Sequence, residues 1–329
     1  MRIISDKTLV SHKSSFKSTG YLLPPLHRYV VRKVMEDSAN STRRSDIMHP
    51  SEMCKPSWCS RKDFYRITLG KRQDTEDPQF GTELIFAEGH AIHHKYQLWL
   101  RNMGLLYGKY QCNGCQHSFH GQSPDVCPSC SGTSLQYREV PLENLEYMIS
   151  GHADGAVNIG NDLLVVDEPF LIEIKSIGLG SVRVEAPELY RKYVAGGNDL
   201  VRLWAAINRP FAAHLRQATL YCWLAGYKKM VFIYESKWNQ QTKEFVVVPD
   251  FGHIQWMLDG AKDVAQGVRQ GIEPYRPGWA KQDHRTCKAC PFRTECWGEE
   301  GTKPDDTYRQ PVSIRRSPTA VRRKALRPT

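Results

Sequence analysis

The stretch GHADGAVNIGNDLLVVDEPFLIEIKSI, residues 151–177, ends in a run that reads as a buried strand carrying two charges, Leu171-Ile172-Glu173-Ile174-Lys175. Side chains alternate across a strand, so Glu173 and Lys175 point to one side while Ile172 and Ile174 point to the other. Taking an ion out of water costs several kcal/mol unless it is paired or holds a metal, so this shared face needs a compensating partner. Asp154, in "GHADG", supplies one if neighbouring strands bring it beside Glu173. Two carboxylates can then hold a divalent cation while the ammonium sits by a water or a phosphate, an arrangement suited to phosphodiester hydrolysis. The spacing also allows an ordinary Glu–Lys pair on the wet face of an edge strand.

Around this stretch the chain alternates helical and strand patterns. From Leu84 to about Leu100, Ile85, Ile92, Tyr96 and Trp99 recur at helical spacing on an amphipathic helix that carries His90, His93 and His94. Strands are expected at 151–159, 163–167 and 170–177, separated by "IGND" and "DEP", as a meander. After a longer helical region, a helix is expected from Pro210 to a stop at Gly226, followed by a strand in "KMVFIYES". Gln217 and Tyr221 lie four apart on that helix and share a face, with His214 one turn earlier; Cys222 falls on its apolar side as a buried thiol.

The cysteines fall in two sets. Cys112-x2-Cys115 and Cys127-x2-Cys130, eleven residues apart, are two knuckles that can place four thiolates tetrahedrally around zinc in a small ribbon. Disulfides or free thiols are the alternative, and His117 and His120 read as surface residues. Cys287-x2-Cys290-x5-Cys296 supplies three ligands and wants a fourth, for which Cys54 and Cys59 are the upstream candidates.

At 329 residues there is room for one large domain and a small module. A formal charge of +10, from 45 basic and 35 acidic residues, favours a polyanionic partner, without separating nucleic acid from an acidic membrane. There is no secretory apolar core, no apolar run near the roughly 18 residues that span a bilayer, and no lipidation motif. The expectation is a soluble, cytoplasmic protein, in the host cytoplasm if the source is viral. Residues 1–45 read as an extension with one helix after its Pro pair. From Gly301 eight Lys or Arg stand against two Asp, the composition of a disordered basic tail.

In order along the chain, Gly89-His90-Ala91-Ile92-His93, Gly151 to Asp154, Glu173-x-Lys175-Ser176 and Gln217-x3-Tyr221 resemble the motifs of the RecB-like branch of the PD-(D/E)XK nucleases. That branch includes the AddB nuclease and the iron–sulfur nuclease of CRISPR adaptation. The resemblance implies an α/β fold, a mixed central sheet flanked by helices. It implies a Mg- or Mn-dependent DNA exonuclease or end-processing nuclease in recombination, repair or replication, with partners among the proteins of those processes. His93 would join Asp154 and Glu173 as metal ligand, Lys175 would orient or activate the attacking water, and Gln217 and Tyr221 would position the strand. His90 and His94 have no match, and Ala91 after His90 breaks the zinc-peptidase pattern H-E-x-x-H. The family's iron–sulfur members place one cysteine before the core, followed by basic and aromatic residues, and three after it. Cys59-Ser60-Arg61-Lys62-Asp63-Phe64-Tyr65 fits this better than Cys54. The implied centre is a [4Fe–4S] cluster on Cys59, Cys287, Cys290 and Cys296, with a second zinc as rival.

The organisation expected is an extension (1–45), the first part of the nuclease domain (46–109), a zinc-ribbon insertion (110–139), the nuclease core with the terminal cysteines (140–300) and the tail (301–329). A structure-specific or sequence-specific endonuclease would share the same site. A non-catalytic DNA-binding assembly factor could keep the fold.

Overall fold

The computed structural model describes residues 21–40, 43–70 and 80–298; residues 1–20 of the expected extension and the whole expected basic tail, 301–329, lie outside them. Nine strands are described: β1 Tyr107–Cys112, β2 Ser118–Gln122, β3 Leu135–Tyr137, β4 Val140–Asn144, β5 Ile149–Ala153, β6 Gly155–Val157, β7 Phe170–Ile177, β8 Met230–Ser236 and β9 Thr242–Val247. The helices are α1 Leu23–Ala39, α2 Pro50–Met53, α3 Ser60–Leu69, α4 Phe80–Asn102, α5 Leu179–Glu185, α6 Pro187–Ala195, α7 Leu200–Ala206, α8 Ala212–Ala225, α9 Gln255–Gln270, α10 Arg285–Lys288 and α11 Arg293–Trp297.

The architecture is α/β, with a central mixed sheet flanked by helices. Strands run β2-β1-β6-β7-β8-β9, with β3 also on β1, while β4 and β5 form a separate pair. Only β7 and β8 run parallel in the main sheet, with Glu173 opposite Phe232 and Lys175 opposite Tyr234. A parallel pair cannot be closed by a tight turn, and α5 to α8 supply the crossover. β7 is covered on both faces. Ile172 and Ile174 pack with Ile92 of α4 and Leu105, while Leu171 and Ile177 join Ala218 and Tyr221 of α8 in the larger core. Glu173 and Lys175 therefore lie on the α8 side. A further core joins the two ends of the described chain: Phe64 and Tyr65 of α3 meet Met257, Ala261 and Val264 of α9, with Phe292 beyond.

Several expected boundaries shift. Residues 151–159 are not one strand. They bend at Asp154, so β5 pairs with β4 and β6 pairs with β7 in a different sheet. Residues 163–167 form no strand: the Asn161 side chain accepts from Leu163 and Leu164 N at 2.9 and 3.2 Å and folds the segment back on itself. A Cβ on Gly160 would stand 2.4 Å from the Leu164 carbonyl, so only glycine permits that bend. Val165 is left 92% exposed, its β propensity unused for want of a neighbour. Helix α8 starts at Ala212, two residues after Pro210, because Phe211 is still extended as N-cap; it stops as expected at Gly226, φ 73°. Helix α4 is longer than the periodicity indicated, Phe80–Asn102. β1 belongs at once to the cysteine ribbon and to the main sheet, through Tyr107 opposite Ala156.

Candidate active site and cysteine centres

The antiparallel pairing of Gly155 with Ile172 carries Asp154 to the position across from Glu173. Asp154 Oδ2 accepts from Ile174 N at 2.6 Å and Oδ1 lies 3.1 Å from His93 Nδ1, so the carboxylate is held from both the sheet and α4. Glu173 Oε1 accepts from Lys175 Nζ at 2.5 Å, and Lys175 also donates to Gln217 Oε1 at 3.1 Å. Gln217 Nε2 in turn donates to the Tyr221 hydroxyl at 2.8 Å. The six residues thus form two hydrogen-bonded groups on neighbouring strands, His93–Asp154 and Glu173–Lys175–Gln217–Tyr221, drawn from α4, β7, α8 and the bend between β5 and β6.

Glu173 Oε2 is buried and has no hydrogen-bond partner among the described residues. An orphaned buried acceptor costs about 1–3 kcal/mol, more when charged. A divalent cation between this oxygen and Asp154 would remove that cost, so the donor set suits a hard metal. Burial pushes the Glu173 carboxyl up to about 7, with Asp154 adding to the shift and Lys175 opposing it. Burial disfavours the Lys175 ammonium, but Glu173 and Asp154 outweigh it and raise its pKa. For His93 the same contest against burial is decided by the Asp154 hydrogen bond and charge, and its pKa rises.

His214 Nδ1 is hydrogen-bonded to the Tyr234 hydroxyl. That hydroxyl oxygen already accepts from Phe211 N at 3.0 Å, so its own hydrogen is directed to His214 Nδ1. The imidazole is thereby held with its proton on Nε2, and burial, with Lys175 nearby, pushes its pKa down to about 3. It is a neutral donor beside the network.

Three residues here carried no mark in the sequence reading. Gln97 Nε2 and the Tyr137 hydroxyl both donate to the Asp154 carbonyl, at 3.0 and 3.1 Å. Glu139 sits close enough to Asp154 and His93 to feel both, and burial raises its pKa. Gln97 could have been found, since it lies one helical turn past His93. Tyr137 and Glu139 lie beyond the cysteine island, and no local pattern ties them to Asp154.

In the ribbon, Cys112 and Cys130 sulfurs are 3.6 Å apart and those of Cys115 and Cys127 are 3.7 Å apart. Four thiolates around zinc at about 2.3 Å stand about 3.8 Å apart, so this set is able to hold a tetrahedral metal ion. Ser129 N donates to Cys127 Sγ at 3.4 Å; the Cys115 N–H helps bring Cys112 down to about 7, whereas at Cys130 the Gly132 N–H is outweighed by the neighbouring cysteines and the thiol is pushed up to about 12. His117 and His120 stay outside it. Among the described residues, this is the one group of three or more His, Cys, Asp or Glu whose ligand atoms all lie within 4.8 Å of one another. By that measure His93, Asp154 and Glu173 are more loosely gathered.

Cys59, Cys287, Cys290 and Cys296 line a single cavity of about 200 Å³ between α3 and the terminal helices. Cys54 does not: it lies toward the charged network, its carbonyl accepting from Arg216 Nε at 2.8 Å. Burial pushes the Cys59 thiol up to about 12, and the three other cysteines add to it. No three of these four sulfurs meet the 4.8 Å spacing that the ribbon meets. They are more loosely gathered than the ribbon sulfurs. Arg276, 1% exposed, donates from Nε to Cys296 Sγ at 3.3 Å while its guanidinium lies 3.9 Å over Trp297.

No described helix is long and apolar enough to cross a membrane. No family model matches the sequence, and no curated protein matches it significantly. Among solved structures, the crystal structure of SSO0001 is 13% identical with a TM-score of 0.38, over 82% of this chain and 94% of that one. An alkaline exonuclease, LHK-Exo, from Laribacter hongkongensis is 12% identical with a TM-score of 0.38, over 70% and 91%. Its complex with dAMP gives 11%, 0.36, 70% and 91%. At that level of likeness, function rests on the geometry of the site itself.

Proposed function

We propose that this chain is a metal-dependent DNA nuclease of the PD-(D/E)XK type that degrades DNA from its ends. The observation that carries this is the orphaned, buried Glu173 Oε2 across from Asp154, with Lys175 on the same face of β7. Asp154, Glu173 and His93 would hold Mg or Mn, which supplies Lewis-acid stabilisation of charge building on the phosphoryl oxygens. Lys175 has three N–H donors, of which two are used, on Glu173 and Gln217. The third is available to orient an attacking water or hold a phosphate oxygen. Gln217, tied to Tyr221, keeps the ammonium in place, and the Nε2–H of His214 offers the strand a neutral donor. The +10 charge supports a DNA substrate through phosphate contacts, so binding falls steeply with salt. The ribbon would hold zinc, and the terminal cavity a [4Fe–4S] cluster on Cys59, Cys287, Cys290 and Cys296. The setting is DNA end processing in recombination, repair or replication.

An end-labelled time course on linear and circular DNA with Mg tests the reading. Linear DNA should be shortened from its ends and circular DNA spared; cutting of the circle makes the enzyme an endonuclease. Asp154→Ala and Lys175→Ala should lower cleavage at least about a hundredfold, on the scale of losing a transition-state charge stabiliser, with DNA binding largely kept because affinity is spread over phosphate contacts. Near-normal cleavage by either variant rejects the assignment.

A further inference from the structure

Asp154 stands at the bend where β5 leaves one sheet and β6 enters another, so it has no ladder pairing in either. Its carbonyl is oriented instead by two side chains, Gln97 and Tyr137. Tyr137 comes from β3, which closes the cysteine ribbon. On β1, Cys112 faces Leu135 and Tyr110 faces Tyr137, so the first cysteine ligand and the tyrosine share one short ladder. The Tyr137 ring crosses β1 over Gly108, where a Cβ would stand 2.6 Å from the hydroxyl and 2.8 Å from the Glu139 carbonyl. Glycine at 108 is thus what lets the ribbon reach Asp154. The hydroxyl shares its one hydrogen between the Asp154 carbonyl and the Tyr107 carbonyl, each 3.1 Å away, which fixes it at the seam between ribbon and sheet. Burial raises the phenol pKa, so the group remains a donor across the working pH range.

We propose that the cysteine ribbon is a positioning device for Asp154, with Tyr137 as the positioning residue that couples metal-dependent order in the ribbon to the carboxylate. Zinc in Cys112, Cys115, Cys127 and Cys130 then sets how well the neighbouring site holds its divalent cation, with no need for the ribbon to touch DNA. What Asp154 does rests on the nuclease reading; where Tyr137 holds it does not.

Tyr137→Phe removes the hydroxyl and keeps the ring among Tyr110, Phe119 and Leu135. The Ile174 amide, held by Asp154 Oδ2 at 2.6 Å, reports the carboxylate's position by hydrogen exchange without metal or DNA at the site. In the zinc-loaded variant, exchange at Ile174 should quicken about tenfold relative to Ile233 on β8, and Mn affinity should fall by about tenfold, the lower end for an outer-shell contact. kcat should fall by about the same factor with KM for DNA unchanged. Stripping zinc from the wild type should reproduce these changes and add little to them in Tyr137→Phe. Unchanged Ile174 exchange and Mn affinity in Tyr137→Phe overturn the proposal, as does a variant whose only defect is in KM, the mark of a DNA-binding ribbon. Wild-type protein that shows the Ile174 effect yet cuts no DNA supports the positioning and rejects the nuclease reading.

Discussion

Cys112, Cys115, Cys127 and Cys130 come from one short stretch whose own turns aim the sulfurs inward, so they already stand at zinc spacing. Cys59 and the Cys287–Cys290–Cys296 set come from opposite ends of the described chain and meet because α3 packs on α9 and Tyr65 donates to the Glu295 carbonyl at 3.0 Å. The first set is held by local geometry and the second by the fold as a whole. The difference is one of consequence. A local centre can be lost with its own module, whereas a centre that closes a long loop acts on the stability of everything inside that loop.

The largest effect should follow Cys59→Ala. It removes the one ligand contributed by the N-terminal side, and should cost roughly 4–5 kcal/mol, the scale of closing a loop of about a hundred residues or more. Urea unfolding of anaerobically purified protein measures this. The wild type should be brown, with about four irons and four sulfides, and the variant colourless. A colourless, iron-free wild type with two zinc ions would reject the cluster and leave the comparison as one between two zinc sites.

Next in size is the ribbon. Replacing Cys112 and Cys115 by Ser should remove one equivalent of zinc and loosen β1 to β3, while β8 and α9 keep their amide protection. Metal analysis showing unchanged zinc would break the local half of the comparison, and global unfolding would show that β1 ties the ribbon to the main sheet more tightly than its own module.

His214 belongs to neither set and gives the background for both. Its native pKa of about 3 lies below the ordinary 6.5, so above pH 6.5 both states are neutral and the native state carries no penalty. Below that the unfolded chain takes a proton that the native chain refuses, and stability falls until about pH 3. The slope is at most roughly 1.4 kcal/mol per pH unit. His214→Gln should flatten it in urea titrations between pH 6.5 and 4.5; an unchanged slope would show that the imidazole is not held neutral.

The smallest effect should come from Cys54→Ala, about 1 kcal/mol for a small buried side chain, with colour and iron kept. Bleaching by this variant alone would reject Cys59 as ligand and move the centre toward the charged network.

Much of this was legible along the chain because the signals are short-range. Alternation placed Glu173 and Lys175 on one face of β7, spacing placed Gln217 and Tyr221 on one face of α8, and the two knuckles specify their own sulfur geometry. The failures are equally instructive. The Val-rich segment at 163–167 has the composition of a strand, but strand formation needs a neighbour and Asn161 turned the segment away from one. The bend at Asp154 is invisible to alternation, which continues through it.

The sequence by itself therefore determined the helix that carries His93, β7 with its charged residues, the helix that carries Gln217 and Tyr221, and the four cysteines of the ribbon, since each depends on residues within a few positions of one another. The tertiary structure decided the rest. It put Cys59, and not Cys54, in the cavity with the three terminal cysteines, left Glu173 Oε2 without a partner among the described residues, and brought Gln97 and Tyr137 onto one carbonyl. These depend on which elements pack together across long stretches of chain, where no periodicity survives and only the closeness of the packed core sets the distance.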